Sequence, residues 1–287
     1  MTPLQGRVLD WAATTGRDLP WRRTRDPWAV LVSELMLQQT QVPRVATRYG
    51  PFLDRFPTPA ACAAATAGDV VRAWAGLGFN RRAVNLHRAA VAMVDRHHGA
   101  VPGDLAGLVA LPGVGPYTAR AVLAFAYEAD VGVVEVNSAR VLARAVAGRR
   151  LGAGEAQRLA DGLVPPGQGW AWNQAMLDLG ALNCLKRSPA CTACPARAAC
   201  AWAGAGWPEP DPADGTAGGG GRQSRFAGSD RQGRGRLVHA LRQGPVPLAG
   251  VAAAAGWPGQ AGRARAVALG LVADGLAEVA GDSLVLP

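Results

Sequence analysis

Apolar residues recur three and four positions apart through most of the first 207 residues, whereas the two-residue alternation of strands is scarce. Asp26-Pro27 places an N-cap and a first-turn proline ahead of the stripe Trp28, Leu31, Val32, Leu35 and Met36, which predicts an amphipathic helix. Asp69–Trp74, Arg82–Arg96, Asp104–Ala110, Tyr117–Tyr127, Asn137–Val146, Glu155–Leu163 and Trp170–Leu182 carry similar signals, with short Gly/Pro breaks between them. A mostly α architecture follows, with no repeat of fixed period. The stretch Pro208–Gly221, PEPDPADGTAGGGG, cannot bury a core and reads as a linker that runs on to about Ser229. Beyond it, Asp230–Arg242 and Gly262–Asp274 read as helices, with a shorter one around Pro247–Ala255. Leu276–Leu286 reads as two extended pieces turned at Gly281-Asp282. Helices followed by a hairpin suggest a small winged-helix-like module at 230–287; a plain helical cap fits the pattern as well.

Composition narrows the function. The 287 residues include 49% apolar types, and two domains are the better expectation at this length. The net charge is +9, of which residues 1–207 carry +8, so the basic surface lies on the part before the linker and suits a polyanionic partner. Arg7, Asp10, Arg17 and Asp18 break the N-terminal segment, and prolines 245, 247 and 258 break the longest uncharged stretch. Export and membrane insertion are not expected, which points to a cytoplasmic protein with no membrane partner. Of the 30 basic residues 29 are arginine, and Lys186 is the sole lysine. Chemistry that attacks a sugar carbon through a lysine amine could use only Lys186 or the N-terminal amine.

Three groups of residues carry candidate chemistry. Cys184, Cys191, Cys194 and Cys200 lie within 17 residues with no histidine near them. Four thiolates so close can wrap one metal centre, zinc or an iron–sulfur cluster, in a reducing cytosol; unligated loop cysteines are the plain alternative. Cys62, in an alanine-rich stretch, reads as a small core residue. Leu111-Pro-Gly-Val-Gly-Pro-Tyr-Thr-Ala119 joins two predicted helices. Gly113 and Gly115 allow a tight turn, and free backbone N–H groups at the start of the second helix can hold a phosphate oxygen, though an ordinary connection could look the same. The third group is Val32-Ser-Glu-Leu-Met-Leu-Gln-Gln-Thr-Gln-Val42. Glu34 alone would be a solvated helix residue; a carboxyl held on an apolar helix face can instead serve as a general acid.

Taken together, SELMLQQTQV, LPGVGPYTA and the four cysteines at spacings 6, 2 and 5 resemble the MutY-type adenine DNA glycosylases of the endonuclease III superfamily, in a short-tailed actinobacterial-like form. Leu19-Pro-Trp-Arg22, Trp74-Ala-Gly-Leu-Gly78, Asn85-Leu-His87, Arg140-Val-Leu-Ala-Arg144 and Asn173–Ala181 match as well, so the likeness covers roughly residues 4–207. It implies a two-lobed helix–hairpin–helix DNA glycosylase domain over 1–207. Residues 21–130 would form a helical barrel lobe; the N-terminal helix and 131–207 would form a lobe with a [4Fe-4S] cluster on Cys184, Cys191, Cys194 and Cys200. A linker over 208–229 and the module at 230–287 would follow.

The resemblance also implies roles. The chain would be a monomeric base excision repair enzyme acting on double-stranded DNA with A·8-oxoguanine or A·G mispairs, associated with the nucleoid. Glu34 would protonate the extruded adenine, and a second carboxylate would stabilise the cationic sugar. Gln39 would fill the space left by the base, Phe79 would wedge beside the opposite base, and Trp21, Arg22 and Gln174 would line the adenine pocket. Core packing is the plain alternative for these side chains, Trp21 and Phe79 above all. Gly113, Val114, Gly115 and Thr118 would hold DNA phosphate. Tyr117 stands where strand-cleaving relatives carry a nucleophilic lysine, so no lysine-based lyase step is expected. Two departures stand out. The second carboxylate, usually an aspartate, is Glu135 in Val134-Glu135-Val136-Asn137, one methylene longer, or else merely a charge at a helix start. The tail is too short for the β-rich NUDIX-like domain of many relatives. A T·G mismatch glycosylase and a non-catalytic iron–sulfur DNA-binding protein are the competing readings.

Overall fold

The computed structural model describes residues 1–216 and 225–287, and its backbone separates into two compact units. One unit comprises Met1–Val30, Gly103–Leu105 and Gly115–Gly221; the other comprises Leu31–Pro102, Ala106–Val114 and Arg222–Pro287.

The first unit is built on α1 (Pro3–Thr15), α8 (Pro116–Ala126), α9 (Val136–Val141), α10 (Ala153–Gly162), α11 (Gly169–Leu182) and α12 (Ala201–Gly204). Thr2 and Gln5 cap α1 reciprocally, and Pro3 takes the first-turn position where no N–H is needed. The core gathers Val8, Leu142, Trp172, Met176 and Leu179. Helix α9 lies close against α11 because position 180 is glycine: a Cβ there would come within 2.6 Å of the Asn137 carbonyl oxygen. Residues 208–216, predicted as linker, are tied to this unit. Trp202 Nε1 donates to the Pro208 carbonyl (2.9 Å), Arg144 donates twice to Asp211 (2.8 and 2.5 Å), and Thr216 Oγ1 accepts from the Leu151 amide (3.2 Å). The glycine-rich remainder of that stretch, 217–224, lies outside the described residues.

The expected [4Fe-4S] cluster is a point of correction. Among the described residues no group of three or more His, Cys, Asp or Glu side chains stands together so as to hold a metal ion. Cys184, Cys191, Cys194 and Cys200 do border one small cavity, but close spacing along the chain does not aim four sulfurs at one point. The Cys184 sulfur accepts from Arg144 Nη1 and the Cys200 thiol donates to the Arg144 carbonyl, both at 3.5 Å. Burial pushes the Cys184 thiol up and Cys194 up to about 11. The fold is thus mostly α without a demonstrated cluster loop. Cys62 is fully buried in the other unit, and burial pushes its thiol up to about 12.

The second unit holds most of α2 (Pro27–Leu37), with α3 (Val42–Arg55), α4 (Pro59–Ala63), α5 (Ala67–Ala73), α6 (Arg81–His97) and α7 (Leu105–Val109). The C-terminal residues pack into this same unit as α13 (Asp230–Gln243), β1 (Val246–Pro247), α14 (Val251–Ala254), α15 (Ala261–Ala273), β2 (Glu278–Ala280) and β3 (Ser283–Val285). The antiparallel sheet has the order β1-β3-β2, with Val246 and Val279 both opposite Leu284. Arg242 donates to the Val71 carbonyl (3.0 Å) and to Asn80 Oδ1 (2.8 Å), and the Gly68 amide donates to the Pro287 carbonyl (2.7 Å). These bonds join the C-terminal helices to the ends of α5 and the loop before α6.

Candidate active site

In the second unit the site residues lie around the C-terminus of α2. Glu34 sits among the fully buried Leu31, Val32, Leu35 and Met36 and is itself only 4% exposed. After α2 the chain turns through Gln39, whose φ is 55°, and a second turn before α6 carries Phe79 at φ 44°. Left-handed backbone at non-glycine residues is strained and persists only where the surroundings enforce it.

Here Arg82 supplies the enforcement. Its buried guanidinium donates to the carbonyls of Leu35 (2.7 Å), Met36 (2.8 Å) and Gln38 (2.5 Å), and to Thr40 Oγ1 (2.9 Å) on one turn. On the other turn it donates to the carbonyls of Leu77 (3.2 Å) and Gly78 (3.0 Å). It thereby satisfies carbonyls that the end of α2 leaves without helical partners. Burial pushes its guanidinium down to about 10, so it is still charged at neutral pH.

Gly113 adopts φ +79, and a Cβ there would lie 2.7 Å from Asn85 Cβ, which accounts for the glycine. The Val114 amide closes the turn by donating to the Leu111 carbonyl (3.1 Å).

In the first unit, Gly115 is the N-cap of α8, Tyr117 is half-buried in its first turn and Thr118 is buried. Trp21 is buried in the 3-10 turn Pro20–Arg22. Arg22 grips Asp178 on α11 in a two-pronged ion pair (2.7 and 2.8 Å), and Arg17 adds its amide (3.0 Å) and Nε (2.6 Å). Burial alone would raise the Asp178 carboxyl; the hydrogen bonds from Arg22 and Arg17 prevail and hold it below the ordinary range. Gln174, buried, lies one turn before Asp178 on α11. Its neighbour Asn173 braces residues 131–133: Oδ1 accepts from the Val133 amide and Nδ2 donates to the Val131 carbonyl, both at 2.8 Å.

Glu135 caps α9. Its Oε1 accepts from the amides of Asn137 (2.7 Å) and Ser138 (3.0 Å), and its Oε2 accepts from Asn137 Nδ2 (3.2 Å). Burial raises its carboxyl above the usual glutamate range, against the lowering effect of those same bonds. Arg140 completes the set, donating to Asn137 Oδ1 (2.8 Å) and to the Gly180 carbonyl (2.6 Å). The structure therefore groups Glu135 with Asn137, and Arg22 with α11, in one unit; Glu34, Gln39 and Phe79 are set by the other. Asp178 and Arg82 were not singled out in the sequence. An aspartate one turn beyond Gln174, and an arginine just after the Gly78-Phe79-Asn80 turn, were the only hints.

Residues 32–166 match the HhH-GPD superfamily base excision DNA repair protein family. The chain is 41% identical to an adenine DNA glycosylase of Mycolicibacterium smegmatis over 96% of its own length and 92% of the relative's. It is 45% identical to an adenine DNA glycosylase of Mycobacterium tuberculosis over 84% of its length and 79% of the relative's. Its structure is similar to that of a thermostable thymine-DNA glycosylase, at TM-score 0.64 and 27% identity, covering 70% of this chain and 94% of that one. A trapped endonuclease III–DNA covalent intermediate shares the fold at TM-score 0.60 and 23% identity, covering 72% and 100%. With an adenine DNA glycosylase matched along nearly its whole length and the superfamily pattern present at 32–166, the chain belongs to the adenine DNA glycosylases of the HhH-GPD superfamily.

Proposed function

We infer that this chain hydrolyses the N-glycosidic bond of adenine in double-stranded DNA, with the adenine standing opposite 8-oxoguanine or guanine. The observation that carries the reading is Glu34, a carboxyl group kept out of bulk water beside the buried Leu31, Val32, Leu35 and Met36 of α2. A carboxyl so enclosed can pass its proton to an incoming base.

The reaction then passes through a cationic sugar, with no lysine adduct. Glu34 gives its proton to adenine N7, the bond from N9 to the sugar C1′ breaks, and adenine leaves as a neutral base. Ionised Glu135, steadied by Asn137, offsets the positive charge left on the sugar. Water adds at C1′ and its released proton restores Glu34, leaving an abasic site in an uncut strand. Tyr117 occupies the place of an amine nucleophile and forms no Schiff base. Trp21, Arg22 and Gln174 would bound the adenine pocket, and the turn Gly113–Gly115 with Thr118 would hold phosphate. A DNA substrate of this kind would put the protein at the nucleoid; the described residues include no helix long and apolar enough to cross a membrane.

The extra methylene of Glu135 moves the charge by about 1 Å relative to aspartate, and displacements on that scale can cost roughly 100-fold in rate. Glu34→Gln tests the acid. The expected result is unchanged affinity for an A·8-oxoguanine duplex with base release lost, so that alkali treatment no longer breaks the strand as it does after reaction with the unaltered protein. Release at the wild-type rate would refute the assignment, and a T·G duplex in the same assay separates thymine release from adenine release.

A further inference from the structure

In the first unit, residues 131–135 bring Glu135 to the start of α9 while lying outside any helix or strand. Val133 is buried, so the polar groups of this backbone cannot rely on water and must be met by the protein. Asn173 of α11 takes Val131 and Val133. Gly132, between them, is met from α10: its amide donates to Asp161 Oδ1 and its carbonyl accepts from Gln157 Nε2, both at 2.9 Å. Arg120 of α8 forms an ion pair with the same Asp161 oxygen (2.6 Å), which Gln157 Nε2 also reaches (3.2 Å). The approach is close because position 132 is glycine. A Cβ there would lie 2.6 Å from the Ala160 carbonyl carbon and 2.7 Å from the Asp161 nitrogen.

From Gly132 the restraint reaches the carboxylate through Ser138. The Val133 carbonyl accepts from Ser138 Oγ (3.0 Å), and that oxygen accepts from the Glu135 amide (2.9 Å). The Ser138 amide in turn donates to Glu135 Oε1 (3.0 Å). A functional side chain keeps its geometry only when the groups behind it are themselves locked by hydrogen bonds, and here side chains of α8, α10 and α11 supply the lock.

We propose that Asp161 is a positioning residue for adenine release: held by Arg120 and Gln157, it sets through Gly132 where the Glu135 carboxylate stands. The proposal rests on the glycosylase reading above and adds to it a brace remote from the reacting atoms.

The test uses the full chain and reads two quantities. One is the single-turnover rate of adenine release from an A·8-oxoguanine duplex; the other is affinity for the same duplex carrying a non-hydrolysable adenine analogue. Asp161→Ala is expected to slow release by about 10-fold without weakening affinity. The loss stays below the roughly 100-fold of a 1 Å misplacement because Asn173 still holds Val131 and Val133. Asp161→Asn keeps an oxygen for the Gly132 amide and is expected to bring the rate back to within about 3-fold of the unaltered protein, since a partly exposed ion pair is worth little. Gln157→Ala withdraws the bond to the Gly132 carbonyl and should slow release in the same direction, which keeps the test open if Asp161→Ala does not fold. Equal slowing by Asp161→Ala and Asp161→Asn would trace the effect to the charge beside Arg120 and overturn the proposal. So would an unchanged rate in Asp161→Ala, or a fall in affinity that accounts for all of the lost rate. An absence of adenine release by the unaltered protein would instead strike the glycosylase reading itself.

Discussion

At Asp178 two arginines from the N-terminal segment converge on one carboxylate that is 1% exposed. Removing one member of a buried ion pair leaves the other charges without compensation, at a cost of about 3–5 kcal/mol. Asp178→Asn should therefore lower the urea midpoint at pH 7, and an unchanged midpoint would contradict the account. The pH dependence has a definite sign. The folded carboxyl titrates below its unfolded value near ~4, so its contribution is complete above that value and is lost as pH falls through the lowered one. The Asn variant should lack that part of the acid-induced loss of stability. Glu135 shows how far a residue could be judged beforehand. Its charge and its place before a helix were legible in Val134–Asn137, and its bonds to the Asn137 and Ser138 amides are the local capping that such a place allows; its burial is tertiary detail that no spacing displays. The cysteines teach the opposite lesson: four ligand-type residues in 17 positions describe proximity along a chain, while convergence on one point is a property of the folded loop.

Among the helices, α2, α6, α8 and α11 were legible from apolar residues spaced three and four apart between Gly/Pro breaks. Helix α3 was not, because Pro43 and Gly50-Pro51 look like breakers. Pro43 falls in the first turn, where a proline is tolerated, and Pro51 is accommodated within a helix whose buried face is set by Val45, Tyr49 and Phe52. The turn before α8 depends on Gly113. Gly113→Ala should lower thermal stability and reduce DNA affinity, since a left-handed backbone and a contact 2.7 Å from Asn85 Cβ oppose any side chain. Asn85→Gly in the same chain should recover part of the loss by calorimetry and anisotropy. Asn85→Ala should recover less, because it keeps the atom that clashes. Equal recovery by the two would place the strain elsewhere.

For the whole molecule, the division into two units was only partly visible. Composition marked the glycine-rich stretch, but nothing in the sequence announced that residues 208–216 bind the first unit or that the C-terminal helices pack with α5 and α6. Arg242 is the clearest bond of that second packing. Arg242→Ala should speed amide hydrogen exchange at Val71 and over residues 77–80, while α11 in the first unit keeps its protection. Acceleration spread evenly through both units would mean that Arg242 holds up the entire chain. Uniform arginine usage has its own effect at this scale, since the guanidinium groups spread over the surface suit phosphate through two-pronged bonds.

The Arg82 cage gives the two turns a fixed spacing. With oxygens of both turns fastened to one cation, the separation of Gln39 and Phe79 is set inside the protein. Lengthening either turn by one residue would pull its oxygens off that cation and so loosen the left-handed residue of the other turn as well.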